Sequence, residues 1–291
     1  MPFRSSLRRL ARPLVAAARD WFEPGPIEVQ DQLVTIDGGV AKGTQCYLPR
    51  PSVLSDRIIR GDYESETTSL MEVLVGETDV CFDIGGHYGH FMMTLASLAH
   101  DGAVHIFEPF SKNADRLERS IRANPWNHVQ LHRAAVADQT GALVLHHAGD
   151  QGDDSMAYLD GVGGVQTEAS FEHYGGFEST SVMGISLDEF EGPIPNFIKV
   201  DAEGAEKSVL QGGRRLLETY KPRLIVEVHG PREAFGCAQV ISSIGYRVFE
   251  FAPPSTTLPV LLLHQDDPMI DRLSKPGTPL SFGQLKELYP G

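Results

Sequence analysis

The sequence predicts an α/β protein in which a doubly wound parallel sheet carries helices on both faces. From residue 80 onward, strand-like and helix-like segments alternate along the chain, which is typical of a parallel sheet. The strand-like segments are short apolar runs rather than alternating ones, as expected for strands that are buried on both faces. A glycine-rich loop also joins the first of these strands to the helix that follows it.

The elements follow in order along the chain. The predicted helices cover residues 65–75, 91–99, 113–123, 205–217 and 233–244. The predicted strands cover residues 80–84, 103–107, 129–135, 143–146, 197–200, 223–228, 247–251 and 260–263, the last two as a hairpin-like pair. Residues 149–180 are polar and rich in glycine, so we expect a long loop that lies over the active-site face.

We predict three regions: an N-terminal extension over residues 1–60, the main domain over 61–265 and a C-terminal tail over 266–291. Residues 1–22 carry five arginines, and their apolar residues recur at helical spacing. A helix here would suit a packed accessory helix, a peripheral membrane contact or a transit peptide. Residues 23–55 hold short β-like runs, which predict a small strand pair.

Composition limits the class of partner. The formal net charge is −14, which argues against the broad basic surface that nucleic-acid binding needs. The three cysteines are widely spaced and indicate neither a disulfide framework nor a zinc site. No run of apolar residues is long enough to span a bilayer, so a cytoplasmic protein is expected, with a small-molecule or glycan substrate.

The most informative stretch is DIGGHYG, residues 83–89, which follows one strand and opens a helix. Glycines allow a sharp turn there, and the amides of a helix N-terminus face the crevice where open α/β sheets bind ligands. Glu108 ends the next strand and is placed to accept hydrogen bonds from a ribose diol. The predicted cofactor contacts are Asp83, Gly85, Gly86, His87, Gly89, Glu108 and Ala135.

Two cofactors suit this arrangement. A nicotinamide site normally has a GxGxxG loop that packs against a pyrophosphate, whereas this chain has GGxxG with Asp83 two positions before it. A carboxylate at Asp83 would repel a pyrophosphate but would attract the amino group and sulfonium of S-adenosylmethionine (SAM). We therefore expect SAM, with a nicotinamide-dependent oxidoreductase as the alternative.

The chain resembles the FkbM family of SAM-dependent methyltransferases. The resemblance rests on residues 83–89, on Phe107-Glu108-Pro109 and on the segment IKVDAEGAE at residues 198–206, followed later by Glu227-Val228-His229. It implies a class I methyltransferase fold whose seven-stranded sheet has an antiparallel last strand. It also implies methyl transfer to a hydroxyl, often on a sugar or natural product.

The predicted catalytic residues are His229, Asp201 and Glu203. Each ends one of two neighbouring strands at the sheet edge that should hold the cofactor and the acceptor. His229 is the predicted general base because its ordinary pKa is near neutral, although a scaffold role fits equally well. The two carboxylates suit cofactor or acceptor positioning, a divalent metal or an ion pair with Lys199; we assign no metal. A non-catalytic scaffold with a SAM fold is the remaining alternative.

Overall fold

The computed structural model describes residues 29–147, 157–161, 178–251 and 258–273. Its strands are β1 (Gln30–Thr35), β2 (Gln45–Arg50), β3 (Val80–Ile84), β4 (Ala103–Phe107), β5 (Val129–His132), β6 (Ala135–Val136), β7 (Gly141–His147), β8 (Tyr158–Leu159), β9 (Glu178–Ile185), β10 (Phe197–Val200), β11 (Arg223–Val228), β12 (Tyr246–Glu250) and β13 (Leu258–His264). Its helices are α1 (Val53–Arg60), α2 (Ser65–Leu74), α3 (His90–Leu98), α4 (Ser111–Arg122), α5 (Glu206–Gly212), α6 (Arg214–Tyr220), α7 (Pro231–Ser243) and α8 (Met269–Leu273).

The main sheet has seven strands in the order β12-β13-β11-β10-β3-β4-β5. Strand β13 is antiparallel to both of its neighbours, and the other neighbouring pairs are parallel. The strand order reverses between β3 and β10, where open α/β sheets bind their ligands. The predicted fold class and the hairpin-like pair at the end of the sheet are confirmed.

Helices cover both faces of the main sheet, as the apolar strands require. In β3, Cys81 packs into the apolar cluster under α2 and α3, whereas Phe82 and Ile84 pack into the cluster under α5 and α7. Successive side chains of a strand point to opposite faces, so a strand buried on both faces needs a continuous apolar run. Asp83 interrupts that run on the α3 side and stands out as a buried charge.

A second, four-stranded sheet, in the order β6-β9-β7-β8, was not predicted. The predicted strand 129–135 divides into β5 and β6 because the chain leaves the main sheet after His132 and joins β9 at Ala135. The predicted strand 143–146 becomes β7 of this sheet. The loop expected at 149–180 is also shorter than predicted, since β9 begins at Glu178 and residues 158–159 pair with β7. Residues 149–156 and 162–177 of this loop lie outside the described ones.

The predicted helix at 205–217 is two helices, α5 and α6, with Gly213 between them. The carbonyl of Gly212 accepts hydrogen bonds from the Ser186 hydroxyl and the Asp188 amide, at 2.8 Å each. A side chain at Gly212 would place its Cβ 1.9 Å from the carbonyl oxygen of Ala137. Tertiary contacts therefore hold this turn, and helical periodicity alone does not reveal the break.

The N-terminal strand pair is present as β1 and β2, and its buried residues Cys46 and Leu48 join the core of the main domain. Helix α1 was not predicted. The Ser52 side chain caps its first turn by accepting from the Ser55 amide, and Gly61 ends it in the left-handed region at φ 73°. The amphipathic helix expected at residues 1–22 lies outside the described residues. Within those that are described, no helix has the length and apolarity that a membrane crossing requires.

Candidate active site

A cleft opens at the carboxyl ends of β3, β4 and β10, between the main sheet and the second sheet. The strands and loops of the main sheet form one side of it. Residues 157–159, which include β8, form the other side. Four of the predicted cofactor contacts line the cleft, namely Gly85, His87, Glu108 and Ala135. Two of the predicted catalytic residues, Asp201 and Glu203, also line it. Asp83, Gly86, Gly89 and His229 do not line it, although each lies next to a residue or loop that does.

Glu108 holds the shape of the glycine-rich loop at residues 83–89, which we call the cofactor loop. Its carboxylate accepts hydrogen bonds from the backbone amides of His87, at 2.8 Å, and Phe110, at 2.9 Å. Burial raises the pKa of this carboxyl to about 7, and the two amide hydrogen bonds oppose that shift. A carboxylate has about four acceptor sites, so Glu108 retains the capacity to accept from a ribose diol in the cleft.

The glycines of the loop are required by the packing of the protein itself. Gly85 has φ 88°, and a Cβ there would lie 1.8 Å from the carbonyl oxygen of Asp201. A Cβ at Gly86 would lie 2.5 Å from Ile106 Cγ2, and one at Gly89 would contact Met92 and Leu117 at about 3 Å. The loop therefore sits directly on its own sheet and helices, and its amides can reach the cleft because the turn is this tight.

Asp83 is fully buried under α3, and neither of its carboxylate oxygens has a hydrogen-bond partner. Its nearest cation is Lys199 of the neighbouring strand, whose Nζ lies 3.8 Å from Asp83 Oδ1 and 3.1 Å from Asp201 Oδ2. Burial raises the pKa of Asp83 to about 6, although Lys199 lowers it. A direct contact between Asp83 and the amino group of the cofactor stays a prediction.

His229 lies at the centre of a group of three carboxylates. Its Nδ1 is 2.9 Å from Glu206 Oε1, and its Nε2 is 3.6 Å from Glu203 Oε2 and 3.8 Å from Asp201 Oδ1. The sequence prediction that Asp201, Glu203 and His229 converge at one sheet edge is thus met in the structure. Asp201 and Glu203 lie on the turn after β10, where Glu203 adopts φ 47°.

The base role of His229 stays a prediction. Burial lowers the pKa of this imidazole, but the hydrogen bond to Glu206 and the charges of Asp201 and Glu203 outweigh burial and raise it to about 10. These carboxylates therefore favour the protonated ring, whereas a base or a metal ligand at Nε2 needs the neutral one. A base role would require His229 to lose that proton first.

Glu206 also takes part in this group, although the sequence analysis assigned it no role. The side chain is fully buried and accepts from the Gly204 amide at 2.9 Å as well as bonding His229. The ion pair with Lys199, one of the predicted alternatives, is present for Asp201; burial lowers the pKa of Lys199, but Asp201 and Asp83 raise it more. A signal was present, because a lysine inside an otherwise apolar buried strand needs a partner.

The strand order with its antiparallel seventh strand, the loop after the first strand and the acidic residue ending the second define a class I SAM-dependent methyltransferase. Residues 83–266 match the Methyltransferase FkbM domain. The chain belongs to the FkbM methyltransferase family, and its cofactor is SAM rather than a nicotinamide.

Two curated relatives are similar over most of their lengths. One is the hexuronic acid methyltransferase AglP of Haloferax volcanii, which is 27% identical over 220 residues that cover 74% of this chain and 82% of the relative. The other is Methyltransferase 1 of Beauveria bassiana, 23% identical over 195 residues that cover 62% of this chain and 78% of the relative. A crystal structure of an FkbM methyltransferase from Methylobacillus flagellatus aligns with a TM-score of 0.48 and 19% identity, covering 65% of this chain and 44% of that one.

Proposed function

We propose that this methyltransferase transfers a methyl group to a hydroxyl of a sugar, glycan or related natural product. The observation that carries the proposal is the position of Asp201 and Glu203, which line the cofactor cleft at its carboxylate-rich end. Carboxylates accept hydrogen bonds from hydroxyl groups, and sugars offer several of these in a fixed arrangement. The similarity to a hexuronic acid methyltransferase supports a sugar as the acceptor.

The residues of the cleft fit SAM. Gly85, His87 and Ala135 line the cleft, and Glu108 is held by two backbone amides at its wall. We propose that Glu108 binds the ribose and that Asp83 attracts the amino group. When bound, SAM supplies an electrophilic methyl group. The chain itself holds the acceptor oxygen in line with that methyl group, so orientation contributes much of the rate. Asp201 or Glu203 accepts the hydrogen of the acceptor hydroxyl.

The test is a transfer assay with radiolabelled SAM and the purified full chain. The acceptor panel contains neutral sugars, uronic acids, amino sugars and polyhydroxylated natural products. We expect label in a product that survives mild alkali, since an ether formed at a hydroxyl resists hydrolysis whereas a methyl ester does not. Label that is released by mild alkali, or found on nitrogen, would contradict a hydroxyl acceptor.

Two variants accompany the assay. Glu108→Ala should weaken SAM binding in calorimetry by about tenfold or more, because it removes the acceptor for the loop amides and for the ribose. Glu72→Ala changes an exposed carboxylate of α2 and should leave SAM affinity and transfer unchanged. Tight SAM binding with no product on any acceptor would instead support a non-catalytic scaffold.

A further inference from the structure

We propose that Asp201, Glu203 and His229 bind a divalent metal ion, with Mn²⁺ as the best match, at the acceptor end of the cofactor cleft. Each residue offers one ligand atom, and the three atoms lie within 4.8 Å of one another. The role given to the ion below rests on the proposed function, but the binding of the ion does not.

The distances suit a metal after small side-chain movements. His229 Nε2 is 3.6 Å from Glu203 Oε2 and 3.8 Å from Asp201 Oδ1. Ligand atoms about 2.1 Å from a metal ion are about 3.0–3.4 Å apart when they occupy adjacent positions. A shift of a few tenths of an ångström would bring the imidazole nitrogen into this range of each carboxylate oxygen. Two carboxylates with one imidazole suit Mn²⁺, which accepts both ligand types, better than Mg²⁺, which prefers oxygen alone.

The imidazole is oriented as metal-ligating histidines usually are. Its Nδ1 bonds Glu206, a fully buried carboxylate outside the proposed ligand set, and this fixes Nε2 toward Asp201 and Glu203. A carboxylate behind a histidine is the common second partner at metal sites, where it sets the orientation of the ring and increases its basicity as a ligand. Glu206 is itself fixed by the amide of Gly204, at 2.9 Å.

Two further features favour a cation at this point. Asp201 and Glu203 also line the cleft, so a bound ion would keep open positions for water or an acceptor oxygen. The nearby Lys199 does not neutralise the group by itself, because it is shared between Asp201 and the fully buried Asp83, whose oxygens have no hydrogen bond.

The chain offers a contrasting cluster on its surface. Glu77, His100 and Asp101 also bring ligand atoms within 4.8 Å, but all three are exposed. His100 contacts the two acidic residues of its own cluster, at 3.7 Å and 3.4 Å, and no buried carboxylate orients it in the contacts recorded for the described residues. A metal ion that binds exposed groups of this kind gains little, because water solvates them well. This surface cluster is therefore a matched control.

A bound ion would allow this carboxylate-lined site to accept an acidic sugar. Asp201 and Glu203 alone repel the carboxylate of a uronic acid, whereas a divalent ion between them attracts it and binds the neighbouring hydroxyl oxygen. An ion would also lower the pKa of a bound hydroxyl, which removes the need for His229 to act as a base.

The test uses the full chain after removal of metals with a chelator. Mn²⁺ binding is followed by the loss of the free-ion signal in electron paramagnetic resonance, and nitrogen modulation of the bound signal reports imidazole coordination. We expect one saturable site, at least tenfold weaker Mn²⁺ binding in Glu203→Gln and in Asp201→Asn, and loss of the nitrogen modulation in His229→Gln. Asp101→Asn, in the surface cluster, should bind Mn²⁺ as the unchanged chain does.

Far-UV circular dichroism and urea unfolding, measured on each variant, show whether it is folded. Absence of a saturable site, or a site that is lost in Asp101→Asn and kept in Glu203→Gln, would overturn the proposed binding. Equal transfer rates with Mn²⁺ and with chelator would overturn the role given to the ion in methyl transfer. Mn²⁺ binding with imidazole coordination but without any methyl transfer would support the site while contradicting the proposed function. The two proposals therefore fail separately.

Discussion

Among single residues, Asp83 has unfavourable surroundings. It is fully buried, no residue within the described ranges donates a hydrogen bond to it, and Lys199, the cation beside it, also pairs with Asp201. An ionised carboxylate in such a place costs folding free energy unless it is paired well. A costly group beside the cofactor loop is expected where function, rather than stability, sets the choice of residue.

We predict that Asp83→Asn stabilises the protein without ligand while weakening SAM binding. Burial raises the pKa of Asp83 from 3.8 to about 6, so the folded state binds the proton more tightly than the unfolded state. The cost of the ionised form therefore grows as the pH rises from about 4 to 6 and is complete above 6, where it amounts to about 3 kcal/mol.

Urea unfolding at pH 5 and pH 8 would measure this difference, with the variant gaining more stability at pH 8. Asp37→Asn, at an exposed position, is the control and should show no such dependence on pH. A loss of stability in Asp83→Asn at pH 8 would mean that the pair with Lys199 outweighs burial.

At the scale of elements, the junction of α5 and α6 decides how the second sheet meets the main domain. Gly212 lies against the backbone of Ala137, immediately after β6, and its carbonyl bonds Ser186 and Asp188, immediately after β9. Helix α5, which follows the turn that carries Asp201 and Glu203, is thereby attached to the chain next to β6 and β9 of the second sheet.

We expect Gly212→Ala to destabilise the protein by about 2–4 kcal/mol, because its Cβ would lie 1.9 Å from a backbone oxygen and the backbone must move. The neighbouring Gly213→Ala is the matched control. Its Cβ would meet the Leu187 side chain at 3.1 Å, which can adjust, so the loss should be much smaller. Equal losses in chemical denaturation would show that the close approach at Gly212 relaxes easily.

At the scale of the whole molecule, the cleft lies between two sheets, so a ligand that fills it contacts both. Binding to the folded state alone stabilises it by about 2.7 kcal/mol at a ligand concentration one hundred times Kd. We predict that SAM and S-adenosylhomocysteine at this excess raise the Tm by about 5 °C or more in differential scanning fluorimetry. NADH should leave the Tm unchanged, and Glu108→Ala should remove the SAM-dependent increase. An increase with NADH comparable to that with SAM would argue against the cofactor assignment.

The sequence by itself determined the main sheet. Strands β3, β4, β10 and β11 begin and end at the predicted residues because they are short apolar runs with glycine, proline or charged residues at their ends. The cofactor loop and Glu108 were also predictable, because a glycine-rich turn after a strand and an acidic residue after the next one are local patterns with a direct physical meaning.

Only the tertiary structure decided which groups contact each other and how they are charged. The separation of β5 from β6, the turn at Gly213 and the second sheet depend on contacts between residues far apart in the chain, which local patterns do not contain. The sequence brought His229 to the right edge of the sheet, but the pKa of its ring depends on three carboxylates whose distances are set by packing. Electrostatic energies change steeply with distance and burial, so the chemistry of this site is determined by the folded arrangement.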